Sequence, residues 1–263
     1  MNALRFFCLL GTLAAASGLY GQFGGFDLSK VGKALDTAKS LGKVAKGVAG
    51  IGPEEERVIG GSVAVEIAGT YGGLVRDEKM MQRVNLIGRT LAGFSDRPGL
   101  TWRFGVLASD TVNAFSAPSG YVIITRGLYR LAADDDALAA VLAHEIAHIT
   151  AKHALKIVAR GEFLSGATSV AASQSSDVRN LEAQLQQFDL GVKKITETLF
   201  TKGFDPQTEY EADHIGRDLA TVTGYSRDGL RLMLQRLQQQ SAGDSKQVFS
   251  THPPLAERIK RLQ

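Results

Sequence analysis

The pentapeptide His144-Glu145-Ile146-Ala147-His148 carries the strongest chemical signal in this sequence of 263 residues. Side chains four apart on a helix lie one above the other, about 5–6 Å apart at Cβ. Two imidazoles so placed can each turn a ring nitrogen toward one zinc ion at about 2.0–2.1 Å. Glu145, one step round the helix, can reach the attacking water instead of the metal. By composition alone the pattern arises in roughly one chain per hundred of this length, so context decides. Here the context is an apolar stripe (Leu138, Val141, Leu142, Ile146, Ile149) that begins behind the cap Asp134-Asp135-Asp136. An unpaired His-Glu-His cluster would be costly to bury there.

A catalytic zinc takes three protein ligands and keeps a position open for water. The stretch Glu209-Tyr210-Glu211-Ala212-Asp213 supplies the missing part. Glu209 and Asp213 share a helix face, so Glu209 can be the third ligand and Asp213 can accept a hydrogen bond from a ligand imidazole. Glu211 should point elsewhere. Gly216, seven residues after Glu209, lies near the same face and allows two helices to approach closely. Arg217 can pair with Asp213 or with substrate, or donate to the oxyanion, although an ordinary surface ion pair accounts for it equally well. Peptidases that take a third histidine just after the motif need Gly at 151 and His at 154, where this chain has Ala151 and Ala154. On a continuous helix His153 falls about 140° from His148, so it reads as a non-ligand, as does His214. His252 stands before Pro253 and Pro254, on a loop those residues stiffen. There it can plug the open position of the metal, donate to the oxyanion, or merely pack.

The elements that must position these groups are mostly helical. A helix should start at Pro53 with Glu54, Glu55 and Glu56 in its first turn, and another should run from about Asp77 to Phe94. Three short strands follow: Trp102 to Ala108, Asn113-Ala114-Phe115, and Tyr121 to Thr125. After Thr125 everything reads as helix, including about 206–222, 226–240 and 254–262, with two less regular helices between 161 and 202. The class is α+β: one mostly helical domain over 53–263, with a small sheet before the His-Glu-x-x-His helix.

Taken together, His-Glu-Ile-Ala-His and Glu-Tyr-Glu-Ala-Asp resemble metallopeptidase family 48, the group containing HtpX, BepA and the CAAX prenyl proteases. Three more stretches fit its pattern: Asn113 to Leu128, Gly224-Tyr225-Ser226, and Thr251 to Ile259. The resemblance spans roughly 55–263. It implies a zinc endopeptidase of the gluzincin type with one zinc per chain, Glu209 as third ligand and Asp213 behind the ligands. It also implies that an extended polypeptide substrate adds to the sheet edge at Asn113, Ala114 and Phe115. Transmembrane helices like those of HtpX and a helical-repeat extension like that of BepA are not read here, so the nearest relatives implied are exported single-domain members.

Composition narrows the partners. A net charge of +3 without a basic stripe interleaved with aromatics argues against nucleic acid. Arg5, the apolar run Phe6 to Ala16, then Ser17 and Gly18 have the form of a secretory signal, so residues 1–21 are expected to be removed and the protein exported to a periplasmic or extracellular space. Cys8 is the only cysteine, which leaves the mature chain without a thiol nucleophile. Residues 22–52 read as an amphipathic or flexible arm capable of peripheral membrane contact. The oligomeric state is not encoded in any pattern we recognise. The competing reading from another class is a chaperone-like assembly factor with structural or regulatory zinc. Glu145 argues against it, since a structural site needs no base.

Overall fold

The computed structural model describes residues 51–157, 192–193, 195–243, 252 and 254–263. The signal segment, the arm up to residue 50 and most of the 161–202 stretch lie outside these. Helix α1, Pro53–Thr70, starts as its sequence dictates: Pro53 needs no N–H partner in the first turn, and Glu55 Oε2 accepts the Gly52 N–H at 2.6 Å. Helix α2, Glu78–Gly93, is capped by Asp77, which accepts the Met80 N–H, and buries Val84, Ile87 and Leu91.

Strands β1 (Arg103–Leu107), β2 (Ala114–Ala117) and β3 (Tyr121–Thr125) form one sheet in the order β1-β3-β2. The central strand β3 runs parallel to β1 and antiparallel to β2. β2 extends two residues beyond the expected Asn113–Phe115, because pairing with β3 continues to Ala117 opposite Tyr121. Ser119 and Gly120 take the left-handed backbone that closes this hairpin, with φ of 64° and 95°. α1 lies against the hairpin so closely that a Cβ at Gly60 would collide with the Pro118 carbonyl.

Helix α3 (Arg126–Leu131) leads into α4 (Asp135–Thr150), which carries the His-Glu-x-x-His motif. Asp134 caps α4 by accepting the Ala137 N–H at 2.7 Å. Every residue from Ala137 to Ile149 is buried, as expected of a helix at the centre of a domain. After Lys152 comes α5 (His153–Ile157). A π-helical turn over Thr198–Lys202 and Gly203 at φ 68° lead to α6, Pro206–Val222, which has the expected bounds.

Helix α7 (Gly229–Gly243) starts three residues later than expected, since the Ser226 N–H bonds Asp136 Oδ1 at 2.7 Å in a preceding turn. Helix α8 is Leu255–Arg261. One apolar cluster joins α2, α4, α6, α7, α8 and one face of the sheet, and a second lies between α1, the other sheet face and the 192–204 segment. The fold is α+β and mostly helical, as the sequence predicted. No helix among the described residues is long and apolar enough to cross a membrane.

Candidate metal centre

Gly216 is where α6 meets α4. A Cβ there would lie 2.8 Å from the His144 backbone nitrogen, so only glycine allows this approach. The close packing carries Glu209 and Asp213, on the preceding turns of α6, to the two histidines of α4. His144 Nε2 lies 3.1 Å from His148 Nε2 and 3.5 Å from Glu209 Oε2, and His148 Nε2 lies 3.5 Å from Glu209 Oε1. Donors bound tetrahedrally at about 2.0–2.1 Å are about 3.3 Å apart, so the two imidazole nitrogens, each facing one oxygen of the Glu209 carboxylate, are spaced as ligands of one ion. His252 is the fourth member: ligand atoms of His144, His148, Glu209 and His252 all lie within 4.8 Å of one another.

His252 is buried, with Nδ1 2.9 Å from Glu209 Oε1 and Nε2 3.6 Å from Glu145 Oε1. Glu145 is fully buried, and neither of its oxygens has a hydrogen-bond partner among the described residues. A buried carboxylate without donors is costly as structure, and is what a base facing water and substrate would look like.

The far nitrogens of both α4 histidines are held. His144 Nδ1 lies 3.0 Å from Asp213 Oδ1. His148 Nδ1 lies 2.9 Å from Nδ1 of His153, whose ring is also buried. Phe204 stacks on the His148 ring, centroids 4.3 Å apart, and keeps that side dry.

Asp213 is paired by Arg258, and not by Arg217, the residue its spacing offers. Arg258 donates from Nε to Asp213 Oδ2 at 2.8 Å and from Nη2 to Oδ1 at 2.6 Å. Its Nη1 lies 2.9 Å from Glu209 Oε2 and donates to the His252 carbonyl. Arg217 is half-buried, its Nε without a partner. Sequence reasoning passed over Arg258, although it sits in the closing motif. His214 is exposed beside Asp218, away from the cluster.

The charge of the carboxylates fits a metal, which on binding would displace the proton that His144 otherwise holds. Ionised, Glu145, Glu209 and Asp213 would set three negative charges against the one guanidinium of Arg258, a balance that a divalent cation restores. Burial raises the Glu209 carboxyl, but His252 and Arg258 hold it well below the usual range. Burial likewise opposes ionisation of Asp213, and Arg258 and His144 bring it below its ordinary value. Burial and Arg258 lower His144, but hydrogen bonds to Asp213 and Glu209 outweigh them and push it up to about 9. His148 goes the other way, far down, because burial dominates. The residues present therefore fit a dication held by His144, His148 and Glu209.

Residues 78–263 match the family described as Peptidase family M48. The chain belongs to this metallopeptidase family. It is 26% identical over 225 residues to the Beta-barrel assembly-enhancing protease of Escherichia coli K12, covering 83% of this chain and 45% of that protein. It is 30% identical over 175 residues to Mitochondrial metalloendopeptidase OMA1 of Schizosaccharomyces pombe, covering 66% and 48%. To Metalloprotease LoiP of E. coli K12 it is 30% identical over 162 residues, 61% of each chain. The chain thus spans about half the length of the curated relatives it matches. Members of this family are metal-dependent, and the buried group of His144, His148, Glu209 and His252 could hold a metal ion.

Proposed function

We propose that this chain is a zinc endopeptidase acting on unfolded or misassembled polypeptides outside the cytoplasm. The observation that carries the reading is the spacing of the two imidazole nitrogens and the Glu209 carboxylate, with fully buried Glu145 beside them and no hydrogen bond to its carboxylate among the described residues. Zinc, when bound, supplies a Lewis acid that polarises a carbonyl and acidifies water. Glu145 takes the proton of the attacking water and returns it to the leaving amine. Asp213 fixes the His144 ring through Nδ1, and Arg258 holds Asp213 and Glu209 in place.

His252 is our candidate for the gate, since its ring adjoins both Glu209 and Glu145. In this reading it fills the corner that a catalytic site keeps open, and must withdraw for substrate to enter. His252→Ala should then raise proteolysis. A fall in rate at unchanged zinc content would assign the ring to the oxyanion instead. Among the described residues, no hydrogen bond or ion pair links the Arg217 guanidinium to the cluster, and its Nε has no partner.

Substrate is proposed to add to β2, which the strand order puts at the edge of the sheet. Asn113 precedes that strand. Ala114 and Phe115 are buried, and the Phe115 ring packs on Tyr71 and Phe200 in the core. Binding there therefore requires the edge to be uncovered.

Export rests on the N-terminal signal pattern, and action on envelope proteins rests on the printed name of the E. coli assembly-enhancing relative. The deciding experiment incubates the mature chain, loaded with zinc, with casein in the presence and absence of a chelator. Cleavage abolished by the chelator and by Glu145→Gln is expected. Absence of cleavage, with suppression of casein aggregation, would favour the assembly-factor reading. Mass spectrometry of the exported protein should find the N-terminus shortened to between Gly18 and Gln22.

A further inference from the structure

His153 should not be near His148. Five residues along an unbroken helix turn it about 140° away. The chain diverts it: α4 ends at Thr150, Lys152 takes φ 57°, and α5 begins at His153 itself. A left-handed backbone at a residue with a side chain costs on the order of 1 kcal/mol, and such strain concentrates at functional sites. What the kink achieves is visible. The His153 ring is buried, its Nδ1 is 2.9 Å from His148 Nδ1, and the two rings meet edge to face at 4.9 Å.

Two imidazole nitrogens at that distance share one proton, so one donates and the other accepts. His148 presents Nε2 to the cluster, where it lies 3.1 Å from His144 Nε2. A neutral imidazole carries one N–H. If Nε2 is to offer a lone pair, the proton of His148 must sit on Nδ1, and among the described residues the atom placed to receive it is Nδ1 of His153. The proton of His153 is then on Nε2, which has no hydrogen-bond partner among the described residues and lies 3.4 Å from Glu211 Oε2. Glu211 is half-exposed, with Lys156 3.9 Å away.

We infer that His153 is a positioning residue: it accepts the His148 Nδ1–H and locks that ring in the tautomer that points a lone pair into the metal centre. This rests on the metal-site reading above. The arrangement parallels His144, Asp213 and Arg258, with one chemical difference: the acceptor is neutral. With Glu145, Glu209 and Asp213 already buried around one guanidinium, a carboxylate in place of His153 would bury one more negative charge.

Two measurements with zinc test the inference. In the zinc-loaded wild-type chain, ¹⁵N NMR of His148 should show a protonated Nδ1 and a metal-bound Nε2. The opposite tautomer would overturn the proposal, and this readout needs no variant to fold. Chelator competition on His153→Asn and His153→Leu supplies the second. Asn sets an acceptor oxygen where Nδ1 was and should stay within a few-fold of wild type, whereas Leu should weaken zinc binding roughly 10–100-fold, the usual effect of losing a partner behind a ligand. Leu binding as tightly as wild type, or Asn and Leu losing affinity equally, would show that His153 only fills space. A wild-type chain that takes up no zinc would remove the metal-site reading, and this inference with it.

Discussion

Substituting Gly216 by Ala tests how tightly the metal centre depends on the contact between α4 and α6. The new methyl would lie 2.8 Å from His144 N, 2.9 Å from His144 Cα and 3.0 Å from the Ala143 carbonyl carbon, where ordinary contact begins at 3.4 Å. The helices must therefore part locally by about 0.6 Å. The opposing atoms are backbone and cannot rotate aside. Overpacking of this kind costs about 1–3 kcal/mol. Alanine returns about 1 kcal/mol in helix propensity, so the net loss of stability is about 0–2 kcal/mol, with a Tm fall of about 2–4 °C per kcal/mol. The effect on the site should be larger. Glu209 and Asp213 ride on the displaced helix, and ligand distances tolerate only about ±0.2 Å. Zinc affinity should fall at least roughly tenfold, since binding energy is lost wherever ligands cannot converge. The assay is competition with a fluorescent chelator, paired with melting curves of metal-stripped and zinc-loaded protein, in which the zinc-induced gain in Tm should shrink. A Gly216→Ala chain that binds zinc like wild type would refute the argument that this contact sets the ligand geometry.

Glu145→Gln should keep zinc, by chelator competition, and lose about 10²–10⁴-fold in casein hydrolysis, because it touches only the proton in transit. Arg258→Met leaves Asp213 and Glu209 buried without their guanidinium, which should cost about 3–5 kcal/mol in urea unfolding of the metal-stripped chain; a loss below about 1 kcal/mol would show that the clamp is not needed. Asp134→Ala removes the cap of α4 and should cost about 1 kcal/mol at neutral pH. The Asp134 carboxyl is held below its ordinary value by the Ala137 N–H and then by Arg236. Its contribution is therefore full above an unfolded-state pKa near about 4 and fades as pH falls through the lower folded value. Wild-type and variant stabilities, measured by urea titration, should converge in acid.

What could be read along the chain is what neighbouring residues decide among themselves. Pro206 at the start of α6, the period of α4, and the β-branched apolar run from Tyr121 to Thr125 are local signals, and the elements they mark have the expected bounds or nearly so. Pairing at i, i+4 correctly put His144 with His148 and Glu209 with Asp213 on common faces, because both pairs sit inside unbroken helices. The same rule offered Arg217 to Asp213 and failed. Asp213 faces the α4 histidines, and a guanidinium arriving end-on from α8, 45 residues away, makes a bidentate pair that a side chain on the same helix does not. His153 escaped for a different reason. Its angle was computed for a helix that continues, yet the helix stops at Thr150 with neither Gly nor Pro to mark the end. Lys152 accepts the left-handed backbone there, which local propensity opposes. A conformation that the local sequence disfavours must be held by contacts made elsewhere, and at this turn the contact on view is between His153 and His148.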